Sequence, residues 1–243
     1  MTHSLSMSKY PLSLVCAYAF RSDVRAPDRP PGKNARIGSL VHGLVEAHVG
    51  QRSVPANDVD PHELATAMDI FKGPLHGWLG SRNWTAVELG VRYDAANDTA
   101  ADGPRRGEPG YADHGDMDMP GTLDLISVEK GEIWNCDLKT GDARHTHPEQ
   151  LYAQAVAVSR IYRAKVVHVG FLFAKKTKCE EPTWETLDED RLDYEAGRIR
   201  RRLRTLPQAE MKPGEHCYRC PLGKANCPKW EPTVPPEMEG RFA

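Results

Sequence analysis

The stretch Ile133–Gly141, IWNCDLKTG, sets Asp137 two residues before Lys139 at the end of an apolar run. As a strand it sends Asp137 and Lys139 to one face and Cys136 and Leu138 to the other, because side chains alternate. Asp124 lies in the preceding apolar run, TLDLISV. Strands paired in a hairpin sit about 4.8 Å apart, so two acids on one face can share a cation. Mg²⁺ and Mn²⁺ favour carboxylate and water ligands. A protonated lysine cannot ligate a metal, but it can stabilise a developing phosphorane or orient an attacking water. Two acids and a lysine therefore suit metal-assisted phosphodiester hydrolysis. The tripeptide D-x-K alone is common, and its bland reading is a solvated strand end, so the neighbouring motifs must decide.

The cysteines form a second constellation. HCYRCPLGKANCP holds Cys217, Cys220 and Cys227, with proline after the second and third, and Cys16 stands far upstream. A C-x2-C pair on a tight turn can present two thiolates to one ion or cluster. Three such cysteines need a fourth ligand, for which Cys16 is the candidate. Spacing leaves Zn²⁺ and an iron–sulfur cluster both open, since both accept four thiolates. Cys136 and Cys179 are expected to be structural, with Cys136 packed in the core. A third feature is the arginine row of RIRRRLRTLP, containing Arg198, Arg200, Arg201, Arg202 and Arg204. It suits phosphate neutralisation, or equally a solvated face paired with Asp188, Glu189, Asp190, Asp193 and Glu195. A smaller basic stretch, Arg21 to Arg36, follows Tyr18 and Phe20, an interleaving that suits single strands.

These residues need a scaffold. Ile37, Leu40, Val41, Leu44, Val45 and Val49 recur at helical spacing and predict a helix over 35–49 that carries His42. Asp60-Pro61 opens a second helix over 60–72. Residues 84–93 alternate and predict a strand carrying Glu88. Residues 94–120 contain acids and prolines without an apolar period and predict a long loop or insertion. A hairpin follows, turning at Glu129-Lys130-Gly131. Then come a helix over 147–163, a buried strand over 164–174 and a basic helix over 188–206. A hairpin followed by helix and strand predicts an α/β fold with a mixed central sheet flanked by helices. The residues after 230 read as a flexible tail.

The totals agree with a globular protein. The chain has 243 residues, 40% of them apolar, and a formal net charge of −2, so overall charge points to no particular partner. No apolar run is long enough to span a bilayer, and the N-terminus lacks the pattern of a signal peptide. A cytoplasmic location is expected, and with it thiols rather than disulfides.

GTLDLI at 121–126, CDLKTG at 136–141, HPEQLYAQAVAV at 147–158 and ARIGSLVHGLVE at 35–46 together resemble the RecB-type nuclease domain of the PD-(D/E)XK superfamily. With one early and three late cysteines, the chain is similar to the iron–sulfur branch, which includes the AddB nuclease domain and the CRISPR-associated Cas-four-type exonuclease. The resemblance implies a restriction-endonuclease-like fold with a C-terminal cysteine-rich iron–sulfur region. It implies one domain over 1–230, with its core at about 35–175, the cluster at 16 and 212–230, and the insertion at 94–120. It makes His42, Asp124, Asp137 and the Leu138 carbonyl ligands of Mg²⁺ or Mn²⁺. Asp124, Asp137, Lys139 and Gln150 become catalytic, and Cys16, Cys217, Cys220 and Cys227 hold a 4Fe-4S cluster, with Zn²⁺ the alternative. Tyr152 and Arg198, Arg200, Arg201 and Arg202 become candidate DNA contacts. Glu46, one turn from His42, and Glu88 are further acids for which a surface role fits equally. The tyrosine expected four residues after Gln150 is Gln154 here, and Tyr152 falls only two residues on, off that face. The implied activity is a metal-dependent DNA exonuclease on single-stranded ends, in CRISPR adaptation beside integrase proteins, or in recombination and repair beside a helicase subunit. The alternative is a nuclease-like subunit that holds DNA or proteins and barely cleaves.

Overall fold

A computed structural model describes residues 5–21, 24, 30–50, 59–140, 146–212, 214, 217, 220–222 and 227–229. Near the N-terminus α1 (Tyr10–Val15) precedes α2 (Lys33–Gly50), α3 (Pro61–Ile70) and α4 (His76–Leu79). The strands β1 (Ala86–Asp94), β2 (Thr99–Asp102), β3 (Asp118–Glu129) and β4 (Glu132–Lys139) follow. Then come α5 (Pro148–Tyr162), β5 (Val167–Lys175), β6 (Lys178–Glu180), β7 (Glu185–Leu187) and α6 (Glu189–Thr205). The sheet order is β2-β1-β3-β4-β5-β6, with β7 also on β5. Only β4 and β5 pair in parallel among the described strands, so the sheet is mixed, as a hairpin–helix–strand order requires.

Local chemistry explains the element ends. Asp60 caps α3 by accepting from the His62 backbone N–H at 2.8 Å, with Pro61 at the first helical position. Asp188 caps α6 by accepting from the Arg191 N–H at 2.9 Å. The β3–β4 turn places Lys130 at φ 52° and Gly131 at φ 84°. Two successive positive φ values define the type I′ turn whose twist matches a hairpin.

Two apolar layers cover the sheet. Ile37, Val41, Leu44 and Val45 of α2 pack with Leu125, Cys136, Leu138 and Leu172, joined by Ala67, Ile70, Leu75 and Leu79. The other layer joins the α5 residues Ala153, Val156 and Ala157 to Leu192, Ile199 and Leu203 of α6, and includes Leu5, Met7, Tyr10 and Phe20. Cys136 is fully buried in the first of these, as expected, and burial pushes its thiol well above the ordinary range.

Some expectations need correction. The segment 94–120 is not loop throughout: β2 pairs antiparallel with β1, and β3 already begins at Asp118. Pairing with β1, the packing of Ala100 against the core and the contact with α5 hold β2, whose sequence TAAD offers no apolar alternation. The second helix does not end at 72 but continues through a π turn at Phe71–Leu75, kinked at Gly73 before Pro74, into α4. Strands β6 and β7 are too short to leave a periodic signal. The expected tail at 231–243 and most of the segment around the late cysteines lie outside the described residues.

Candidate active site

The β3–β4 ladder is in register from Glu129–Glu132 to Leu125–Cys136 and goes no further. Beyond it β4 stays paired with β5 through Lys139–Phe173, so β3 and β4 part. Asp124 enters the gap. Its Oδ2 accepts a hydrogen bond from the Leu138 N–H at 2.7 Å, taking the place of a ladder bond. On the other side of β3, Glu88 faces Asp124 in register, but this pair is skipped in an otherwise continuous β1–β3 ladder. Glu88 has φ 50°, a left-handed conformation that L residues avoid inside strands. The chain thus holds strain where it aims a carboxylate.

His42 of α2 reaches this point from the helix above. Its Nδ1 lies 2.7 Å from Glu88 Oε1 and 3.5 Å from Asp124 Oδ1, and its Nε2 lies 3.1 Å from the Leu138 carbonyl oxygen. Both ring nitrogens therefore face acceptors. Burial opposes charge on the ring, but Asp124, Glu88 and Asp137 outweigh it and hold the imidazolium above its ordinary value. Asp124 is pushed up, first by burial and then by Asp137 and Glu88, against the pull of His42 and Lys139. One donor atom each from His42, Glu88 and Asp124 lies within 4.8 Å of the others. An imidazole with two carboxylates and a nearby carbonyl is a donor set for Mn²⁺ or Mg²⁺, and loading would displace protons from these groups. The residues present fit a divalent cation.

Asp137 is 2% exposed. Its Oδ2 is 2.5 Å from Lys139 Nζ, and its Oδ1 accepts from Gln150 Nε2 at 2.6 Å and from Gln154 Nε2 at 3.2 Å. Gln150 and Gln154 are one turn apart on α5, on one face. Gln154 occupies the position where the resemblance expects tyrosine, and it also accepts from Asn135 Nδ2 at 3.2 Å. Lys139 lies over the Phe171 ring at 5.7 Å. Burial works against its charge, but Asp137 and Asp124 hold the ammonium above its ordinary value.

The sequence reading singled out His42, Asp124, Asp137, Lys139, Gln150 and the Leu138 carbonyl, and the structure brings all six to one cavity of about 570 Å³. It differs in the donor trio, which includes Glu88 rather than Asp137. Glu46 lines the same cavity but is engaged by Arg105. Tyr152 lies elsewhere: its hydroxyl donates to Glu185 at 2.9 Å. On α6, Arg198 is tied to the fully buried Glu195, Arg200 donates to the Ala95 carbonyl, and Arg202 donates to the Leu14 carbonyl. Each of these three thus contacts another part of the protein. Arg201 is on the same helix and lines no part of the cavity. The cavity's arginines are instead Arg105 and Arg106 of the 103–117 segment, which alternation and periodicity gave no reason to select.

Cys16, Cys217 and Cys220 are buried and Cys227 is half-buried, all as thiols. No described helix is long and apolar enough to cross a membrane.

Two solved structures are similar to this chain. A candidate exonuclease from Eubacterium rectale matches with 11% identity over 97% of this chain and 91% of that one, at a TM-score of 0.46. The protein SSO0001 matches with 14% identity over 79% of this chain and 84% of that one, at a TM-score of 0.38. No curated protein matches the chain in sequence. The family model of the PD-(D/E)XK nuclease superfamily matches residues 4–228, nearly the whole chain with the entire site inside it, and so the chain belongs to the PD-(D/E)XK nuclease superfamily.

Proposed function

We propose that the protein is a metal-dependent DNA nuclease that removes nucleotides from single-stranded ends. The observation that carries this reading is the convergence of His42, Glu88 and Asp124 beside Asp137 and Lys139 in one open cavity. His42, Glu88, Asp124 and the Leu138 carbonyl would hold Mg²⁺ or Mn²⁺, with Asp137 alongside. A divalent cation there supplies a water of lowered pKa and charge to offset that gathering on phosphate. The Lys139 ammonium, held above its ordinary value by Asp137 and Asp124 against burial, stands 2.5 Å from Asp137. It is positioned to hydrogen-bond the attacking water or a non-bridging phosphate oxygen. Gln150 and Gln154 orient the Asp137 carboxylate by occupying its Oδ1.

The test is degradation of end-labelled DNA with and without Mn²⁺, by the wild type, Asp137→Ala and Lys139→Ala. We expect metal-dependent loss of label in the wild type and a fall of about 10²–10³ in kcat for Lys139→Ala. Equal activity in all three would refute the assignment. DNA binding without metal-dependent turnover would make the chain a binding subunit instead.

We further propose that residues 1–230 form one domain of the RecB-like, iron–sulfur type, with Cys16, Cys217, Cys220 and Cys227 holding a 4Fe-4S cluster. Support comes from packing. Ala17, Ala19 and Phe20, next to Cys16, share a core with Cys220 and Leu222, and Cys227 packs against it. Arg21 also donates to the Ala209 carbonyl at 3.2 Å. The described residues around Cys16 and those at 220, 222 and 227 thus meet in one apolar layer. An anaerobic preparation with visible absorbance and about four irons per chain is expected; zinc in place of iron would select the other tetrathiolate reading. The setting we propose is end processing in CRISPR adaptation or in recombination and repair.

A further inference from the structure

The segment 103–117 joins β2 to β3 and forms one wall of the cavity. Several contacts fix its position, two of them beside the cavity. The Arg105 guanidinium pairs with Glu46 of α2, so the segment is tied to the helix that carries His42. The Arg106 backbone N–H donates to Thr122 Oγ1 at 3.2 Å, two residues before Asp124 on β3. The Arg106 side chain is thereby held at the cavity that contains the metal-ligating groups.

Arg106 differs from Arg105 and from arginines of α6. Arg105 has Glu46 and Glu108, and Arg198 and Arg191 share the buried Glu195. Arg106 is exposed, lines the cavity, and forms no ion pair among the described residues. Its charge is felt by Lys9, whose ammonium is held below its ordinary value first by burial and then by Arg106. Lys139 faces the same cavity as Arg106. Two cationic side chains on one cavity attract a phosphate that enters it. Arg105 and Arg106 stand at the rim, with Glu108 beside them, opposite a carboxylate floor of Glu88, Asp124 and Asp137. This arrangement suits a ligand that carries one phosphate to the metal groups and presents a second phosphate to the rim.

We propose that Arg106, carried over the cavity by the 103–117 segment, binds a backbone phosphate of the nucleic-acid strand adjacent to the phosphate that is cut. The proposal rests on the nuclease reading above and adds a substrate contact to it. The guanidinium fork matches two phosphate oxygens, and a contact to the backbone carries no base preference. Arg106 therefore fixes where the strand lies without touching the reacting atoms, so its removal acts on KM more than on kcat. Arg105 is a positioning residue, holding the segment against α2 through Glu46.

The experiment compares Mn²⁺-dependent cleavage of two labelled single-stranded oligonucleotides of different sequence by the full chain, Arg106→Ala and Arg106→Lys, over a range of salt concentrations. Arg106→Ala is expected to raise KM about tenfold on both sequences and to leave kcat nearly unchanged. It should also flatten the slope of log KM against log salt by about 0.7, the value for one single-strand phosphate contact. Arg106→Lys, which keeps the charge and loses the fork, should restore the slope and only part of the KM. An unchanged KM and salt slope in Arg106→Ala, beside an active wild type, would overturn this proposal alone. A fall in kcat without a change in KM would overturn it too. A wild type without metal-dependent cleavage would remove the nuclease reading itself, and this one with it. Melting curves of both variants confirm that the comparison is between folded proteins.

Discussion

Glu88 is the residue at which stability and chemistry oppose each other. Its φ of 50° is a left-handed conformation that costs an L residue about 1–2 kcal/mol, and its carboxylate adds to the charge crowded around buried Asp124. Only the link to His42 at 2.7 Å, and a cation in the trio, give a return on that strain. Glu88→Gly should therefore raise stability in chelator by about 1 kcal/mol, because glycine adopts this backbone freely. The same variant should weaken Mn²⁺ binding about tenfold or more, read by calorimetric titration. A variant both less stable without metal and normal in metal affinity would show Glu88 to be a structural strand residue. This residue also marks the limit of what the sequence discloses. Asp137 and Lys139 were legible because their spacing alone puts them on one strand face, and His42 and Asp124 because they stood in ordered motifs. From the sequence Glu88 reads equally as a surface acid or a site acid, since its place in the trio follows from a backbone kink that no residue pattern encodes. Gln154 was obscured in a similar way. It breaks the expected tyrosine spacing, yet its amide reaches the same Asp137 oxygen as Gln150.

At the level of elements, the site depends on where strands pair and where they part. The long periodic elements were readable: α2, α5, α6, β5 and the β3–β4 hairpin all fall within a few residues of their expected limits. Their signals are strong because each buries one face over several turns or ladder steps. The 94–120 segment was not readable, because its order comes from contacts with other parts of the chain. Gly90 of β1 is one such contact. A Cβ there would collide with the Gly103 carbonyl oxygen and approach the Arg105 nitrogen and the Pro104 carbonyl carbon, each at 2.9 Å. These are backbone atoms, which cannot swing aside as a side-chain tip can. Gly90→Ala should thus displace the 103–106 stretch from β1, at an overpacking cost of about 1–3 kcal/mol. It should also carry Arg105 and Arg106 out of the cavity. Cleavage should then lose substrate affinity while the metal trio, contributed by α2, β1 and β3, still binds Mn²⁺. A Gly90→Ala protein with wild-type melting temperature and wild-type KM would mean that the segment does not depend on this close approach.

Across the whole molecule, the candidate site joins the two layers of the fold. His42 comes from α2, whose apolar side belongs to the layer with Leu125, Cys136 and Leu138. Gln150 and Gln154 come from α5, packed in the layer with α6 and the N-terminal segment. They meet where the central strands β3 and β4 separate, which leaves several like-charged and strongly dipolar groups gathered at a junction. A cation that binds there binds only the folded chain, because the unfolded chain holds its ligands 36 to 46 or more residues apart: 42 to 88, then 88 to 124. Linkage then requires the folded state to gain stability as metal is added, by about 2.7 kcal/mol at a hundred times the dissociation constant. For a chain of this size that corresponds to a rise of about 5–10 °C in melting temperature. The rise should appear with Mn²⁺, vanish on chelation, and shrink in Asp124→Asn, which keeps the shape of the side chain and removes its charge. Lys139→Ala, outside the donor trio, should retain it. If Mn²⁺ at concentrations that support full cleavage left the melting temperature of the wild type unmoved, the cation would have to bind elsewhere than at a site formed by folding, and the assignment of His42, Glu88 and Asp124 as its ligands would fall.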